Sequence, residues 1–307
     1  MPHPAALAVL AGLLSSALFV SLLIGFPVVV LLAYFVQLPL LVVGLTLGVA
    51  GSVIAGASGV VVVGLIAGLV AAGMYAVVQA LPAVFVVRQL LLFRQDGAQV
   101  QWYPPGLLLA QLTGFAALAL VLAFFALLGQ PGGLAGTIES FLNAAMAEFG
   151  QDEVGPADPE LAPPELGGWL FLFPGLMGAS WVIMVVINAT LAQAFAVRMG
   201  WNRRPSPDFH ALELPRWLWP MLAAAALLSL LGDTGLGFLG RAALIVLVVP
   251  YVFLGLAVLH TLAHRWSHPV LALVAVYGSI VILGWPILLV LLIGFLEDWA
   301  GLRRRFT

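Results

Sequence analysis

No charged residue precedes Arg88. Residues 5–93 form one apolar tract interrupted only by Gly, Pro and isolated polar side chains. A tract of that length has few options. In lipid every backbone N–H and C=O must be satisfied inside the chain, so the tract must fold as helices. One crossing of the hydrocarbon core takes about 20 residues. The tract therefore holds about four crossings, with divisions expected near Phe26-Pro27, Gly48 to Ser52 and Ala71 to Gly73.

The whole chain of 307 residues repeats the pattern, being 63% apolar and 8% charged. Soluble domains carry roughly 45–50% apolar and about 25% charged residues. A soluble globular protein, a collagen-like repeat and a disordered chain are all excluded. The expected fold is all-α, a polytopic transmembrane helix bundle of about 8–10 spans, forming a single integral membrane domain over 1–307. Its parts are a Gly-rich first helical half (1–129), an acidic extracytoplasmic loop (130–168) and a second helical half (169–307). The N-terminus lacks a basic region and a cleavage site before Pro27, so it reads as a retained helix.

After a polar break at Arg94-Gln95-Asp96-Gly97, a fifth span ends near Gly129. Residues 130–168 then hold seven acids (Glu139, Glu148, Asp152, Glu153, Asp158, Glu160, Glu165) and no Arg. Ile138, Phe141, Leu142, Ala145, Met146 and Phe149 recur at helical spacing, which marks one amphipathic helix on the membrane surface. Further spans are expected from Trp169 to Val197, Trp217 to Gly232, and Phe238 to His264. A last apolar tract, Val270 to Leu296, is broken at Gly284-Trp285-Pro286.

Arginine positions set the orientation. Arg88, Arg94 and the Arg198 to Arg216 loop belong on the cytoplasmic side, and the acidic loop belongs outside. Trp102, Trp201, Trp217, Trp219 and Trp266 then fall near the inner interface. Two half-length helices meeting at Gly284-Trp285-Pro286 would return Arg303-Arg304-Arg305 to the cytoplasm; a Pro kink in one tilted helix would leave it outside. The first is preferred, in a bacterial inner membrane.

Chemistry is sparse. The absence of Cys removes disulfides, thiolate metal sites and Cys nucleophiles. Without a basic domain, nucleic acid is not an expected partner. No phosphate loop, nucleophile elbow or dinucleotide fingerprint occurs, so neither an enzyme nor a cofactor is expected.

Four groups of residues stand out. Gly44, Gly48, Ser52, Gly56, Gly64 and Gly68 recur every four positions with one gap, and Ala8, Gly12 and Ser16 do the same. Such stripes let helix backbones approach closely, within the chain or against a membrane partner. Gln37, Gln79, Trp181 and Asn188 are polar or amphipathic groups inside spans, which either bond between helices or line a small-molecule pocket. His260, His264 and His268 share four-residue spacing and read as an interfacial cluster, with metal binding the lesser alternative. Arg203, Arg204, Arg303, Arg304 and Arg305 are candidate contacts for a cytoplasmic protein.

Several strings, taken in order, resemble a known family. They are Ala33-Tyr34-Phe35-Val36-Gln37-Leu38-Pro39-Leu40, Gln101-Trp102-Tyr103-Pro104, and Gly178-Ala179-Ser180-Trp181 with Asn188. Arg204-Pro205-Ser206-Pro207-Asp208, Leu214-Pro215-Arg216-Trp217, Gly255-Leu256-Ala257-Val258-Leu259-His260 and Gly294-Phe295-Leu296-Glu297-Asp298-Trp299 follow. Together they resemble the YybS-like family of predicted bacterial membrane proteins, a domain of unknown function. That family is grouped loosely with the substrate-binding components of energy-coupling-factor transporters. The resemblance implies a helix bundle with an outward-open ligand pocket, and a small-residue face (Ala8, Gly12, Ser16) for docking a transmembrane partner.

Two functions follow as expectations. One is a small-molecule binding or transport module using Gln37, Gln79, Trp181 and Asn188, with the helix around Phe141 as a lid. The other is a scaffold that recruits cytoplasmic proteins through its Arg-rich segments.

Overall fold

The computed structural model describes residues 3–21, 32–97, 99–151 and 172–306, with the side chains of 145–151 and 305–306 outside the description. The expected division at Phe26-Pro27 and the acids Asp152, Glu153, Asp158, Glu160 and Glu165 lie outside the described residues. What is described is essentially all helix. The exception is a small antiparallel hairpin, β1 (Phe93–Asp96) and β2 (Gln99–Trp102), with Phe93 opposite Trp102 and Asp96 opposite Gln99. Among the described residues, five helical runs are long and apolar enough to cross a membrane: Pro4–Ser21, Val49–Leu90, Pro105–Ala126, Phe173–Arg198 and Gly235–Ala263.

Residue contacts divide the chain into two compact units. The first comprises Met1–Leu109 and Ile183–Glu213; the second comprises Ala110–Val182 and Leu214–Thr307.

In the first unit α1 (Pro4–Ser21) is followed by α2 (Leu38–Leu47), α3 (Val49–Tyr75), a π-helical turn (Ala76–Ala80) and α4 (Leu81–Leu90). As a straight rod the 42-residue run Val49–Leu90 would measure about 63 Å, twice the hydrocarbon thickness. It is not straight. At Gly68 the backbone takes φ 86°, ψ 173°, a conformation open to glycine and closed to residues with a Cβ. Gly64 then faces Ala72, Gly59 faces Tyr75, and Gly56 faces Ala80. Partners descend in number on one arm as they climb on the other, so the two arms run antiparallel. The turn stands three residues before the expected Ala71 to Gly73 division, because Gly68 alone carries the positive φ there while Gly73 stays helical.

Gly48, at φ 99°, separates α2 from α3 within the range the sequence marked. Gly12 of α1 lies against Ala55 and Ser58 of α3, and Gly44 lies against Val87 of α4. Added methyl groups would collide at both places, so the small residues let these backbones touch.

The second unit contains most of α5 (Pro105–Ala126), α6 (Gly133–Gln151) and the start of α7 (Phe173–Arg198). After these come α8 (Leu218–Ser229), α9 (Gly235–Leu247), α10 (Val249–Ala263), α11 (Pro269–Leu283), α12 (Pro286–Ala300) and α13 (Leu302–Phe306). Helix α6 covers the segment expected to be amphipathic. Its Leu134 is buried with Phe124, Phe238 and Leu239, while Phe141 remains exposed.

Helices α9 and α10 join at Val248, which keeps α-helical dihedrals, into a single 29-residue run. Gly240 abuts Leu228 and Ser229 of α8, whereas Gly255 abuts the Val290 carbonyl and Gly294 the Tyr251 carbonyl. Hence α8 lies along the first half of the run and α12 along the second, both antiparallel to it. Their ends meet where the Trp219 indole N–H donates to Asp298 at 2.6 Å. Tyr251 stacks on Phe295 at that junction, 4.4 Å between ring centroids. The last apolar tract is two separate 15-residue helices. No residue of α11 is buried.

Candidate functional site

Two prolines shape a polar place among the apolar helices of the first unit. Pro39 has no N–H to give the carbonyl four residues back, that of Phe35. The chain tightens instead: Leu38 N–H donates to Phe35 O at 3.0 Å and Val36 N–H to Ala33 O at 3.2 Å. Residues Tyr34 to Gln37 form a turn, and two of its carbonyls are taken by side chains from other helices. Ser15 Oγ donates to Val36 O at 2.6 Å and in turn accepts from Tyr75 Oη at 2.7 Å. Asn188 Nδ2, on α7, donates to Tyr34 O at 2.6 Å and to Met184 O at 2.8 Å.

Pro82 makes the same demand on the opposite helix. The carbonyl four residues before it belongs to Val78, and Gln37 Nε2 donates there at 3.0 Å. The helix widens into its π turn across this same stretch, Ala76–Ala80, as helices do when a proline disturbs their ladder. Irregular backbone at membrane depth must be satisfied by protein. Ser15 of α1, Asn188 of α7 and Gln37 of the turn itself meet that need.

Gln37 and Asn188 therefore bond at the turn, 0% and 1% exposed, and Gln79, 7% exposed, lies on the π turn next to Val78. Each keeps something in reserve. Among the described residues no donor reaches Gln37 Oε1, Gln79 Oε1 or Asn188 Oδ1. For Gln37 and Asn188 the amide orientation is fixed by chemistry, since a carbonyl partner accepts only and must face the NH2 group. Ser52 Oγ is buried and likewise has no partner among the described residues. Trp181 stands two helical turns before Asn188 on α7 and belongs to the second unit.

The remaining candidates are placed as follows. Arg203 Nε donates to Thr46 O at 2.9 Å, and its guanidinium lies beside Gly48. Arg204 Nη1 donates to Leu90 O at 2.8 Å, and its charge lies 5.3 Å from the Trp102 ring centroid. Thr46 and Leu90 end α2 and α4, so two consecutive arginines hold the negative ends of two helix dipoles. Gln193 Nε2 braces the loop by donating to Arg204 O at 3.0 Å. Burial lowers the Arg204 pKa from its ordinary value.

Arg303 forms an ion pair with buried Glu297 at 2.8 Å, and its backbone N–H donates to the same carboxylate. Arg304 is exposed, and the Arg305 side chain lies outside the described residues. Helix α10 ends at Ala263, so His260 sits inside it, His264 caps it and His268 precedes α11. Among the described residues no group of three or more His, Cys, Asp or Glu is placed to hold a metal ion. Ala8, Gly12 and Ser16 are buried, Gly12 against α3. Gly64 faces Ala72 across the hairpin.

Residues 13–297 match the family described as predicted membrane protein (DUF2232). The chain belongs to the DUF2232 family of predicted membrane proteins. No curated protein and no solved structure matches it. The part of the chain that matches the DUF2232 family includes Gln37, Gln79 and Asn188, and it stops short of Ala8, Gly12 and the terminal arginines. Several apolar helices within it fit a multi-pass membrane protein. Ser15 and Tyr75 were not singled out from the sequence. The available signal was the pair Pro39 and Pro82, each marking a carbonyl four residues upstream that some other donor must reach.

Proposed function

We propose that this DUF2232 protein binds a small molecule at the turn Tyr34 to Gln37, as a binding or transport module of a bacterial inner membrane. One observation carries the reading. Two buried amide side chains, Gln37 and Asn188, bond at a break in membrane-spanning backbone, a third, Gln79, is buried on the π turn next to Val78, and among the described residues all three keep acceptor oxygens without a partner. Leaving buried polar atoms unpaired costs about 1–3 kcal/mol each, so a fold that keeps them has a use for them. Discontinuous helices with freed backbone groups are where transporters build ligand sites.

In this reading the Arg198 to Arg216 loop and the C-terminus are cytoplasmic and residues 130–168 extracytoplasmic. The scaffold alternative has less surface to work with, because Arg203 and Arg204 are engaged on helix ends. The test is native mass spectrometry of the protein extracted gently from its own membrane. A small mass retained by the wild type and lost from Gln79→Leu supports binding. A polypeptide mass alone, or a stoichiometric protein partner with no small mass, sinks it.

A further inference from the structure

We propose that the first unit binds the phosphodiester headgroup of an anionic phospholipid on the Nη1–Nη2 edge of Arg203. Helix length sets the depth of that arginine. The arm from Val49 to the turn at Gly68 is about 30 Å long, the thickness of the hydrocarbon core. Gly48, at its other end, therefore stands at a polar boundary of the bilayer, and the Arg203 guanidinium lies beside it. Aromatic rings mark the same boundary. Trp201 is 58% exposed, its ring 6.5 Å from that of Phe195 near the end of α7. Phe93 is 59% exposed, its ring 5.3 Å from that of Trp102, over which Arg204 lies. Exposed aromatic rings at helix ends belong at headgroup depth.

The Arg203 edge is both free and held. Its Nε donates to Thr46 O, and among the described residues this is the one hydrogen bond that the side chain makes. Nη1 and Nη2 keep their N–H groups, and the two that point outward in parallel match two phosphate oxygens at once. The backbone behind them is fixed. Arg204 is tied to Leu90 O, while Gln193 and Asn202 both donate to Arg204 O. A fork held this way loses less freedom on binding than a loose side chain.

Charge favours an anion at these helix ends. Arg88 and Arg198 are exposed in the last turns of α4 and α7, and Arg94 is exposed on β1. The acids of the first unit are Asp96, Asp208 and Glu213, and Asp208 already accepts from the His210 backbone N–H. An acidic protein could also pair with arginine, but it would have to displace the headgroups that stand at this depth in any bilayer.

The experiment is native mass spectrometry of the full chain in mild detergent, titrated with phosphatidylglycerol or with phosphatidylcholine of the same acyl chains. The proteins are the wild type, Arg203→Lys, Arg203→Gln and Arg198→Gln. The wild type is expected to hold phosphatidylglycerol about tenfold more tightly than phosphatidylcholine. Arg203→Lys keeps the charge and loses the fork. It is expected to bind phosphatidylglycerol about tenfold more weakly, the equivalent of one charge-assisted hydrogen bond. Arg203→Gln should lose the preference and Arg198→Gln should keep it; if Arg203→Gln does not fold, Arg203→Lys decides.

Equal binding of the two lipids by the wild type would overturn the proposal. So would a preference that Arg203→Lys keeps in full, or one that Arg198→Gln loses as completely as Arg203→Gln, which would make it a matter of net charge. Displacement of the bound lipid by inorganic phosphate or by a polyglutamate peptide would give the edge to a soluble anion or an acidic protein and overturn the lipid. Loss of the lipid mass from Gln79→Leu, with Arg203→Lys unchanged, would move it to the turn at Tyr34 to Gln37.

Discussion

Asn188 and Gln79 are both buried amides, and Asn188 is the one whose bond to the turn is seen. Asn188 Nδ2 donates to Tyr34 O, so Asn188→Ala removes a hydrogen bond that holds the turn. Its expected cost is about 1–3 kcal/mol, measurable as a lower midpoint in SDS-titration unfolding. Asn188→Asp should cost at least as much, because an ionised carboxylate cannot donate. Two glycines divide by the space around them. A methyl at Gly294 would overlap the Tyr251 carbonyl, so Gly294→Ala should destabilise by about 1–3 kcal/mol. Gly73 has open space around it and helical dihedrals, and Gly73→Ala should be neutral or stabilise by up to about 1 kcal/mol. Equal costs at the two positions would refute the packing account.

At the scale of elements, the most specific device is the arginine pair that ends α2 and α4. Arg204→Lys keeps the charge but loses the forked geometry that reaches Leu90 O and lies over Trp102. We expect faster amide hydrogen exchange in the last turn of α4 in this variant, and in the last turn of α2 for Arg203→Ala. Unchanged exchange in both helices would remove the capping role.

This is also where the sequence was least legible. Arg203 and Arg204 read as loop charge free to meet a partner, because no local pattern tells a capping arginine from a solvated one when its carbonyl lies 114 or 157 residues away. Gln37, Gln79 and Asn188 were easy to pick out, since a polar side chain in an apolar span has few explanations. The helical class followed from composition for the same reason. The turn at Gly68 was harder: Gly64, Gly68 and Gly73 look alike on paper, and packing of Gly56, Gly59 and Gly64 against the returning arm decides which one bends.

For the whole molecule, sidedness is testable by labelling. The chain contains no Cys, so single-cysteine labelling needs no background removal. Ser206→Cys and Arg304→Cys should react from the cytoplasmic face only, and Gln151→Cys from the outer face only. Labelling of Arg304→Cys from outside would place the C-terminus beyond the membrane and reverse the proposed course of the last tract.

The first unit is built from residues 1–109 and 183–213, and this has a consequence for the order of synthesis. When the ribosome has finished α4, the groups that will serve Tyr34 O, Thr46 O and Leu90 O have not been made. At 5–20 residues per second they arrive on the order of ten seconds later. During that interval the nascent helices stand in lipid before the Asn188, Arg203 and Arg204 donors to these carbonyls exist. A message truncated between codons 110 and 182 would leave them so permanently, giving a product marked for membrane quality control from its first helices rather than from its missing end.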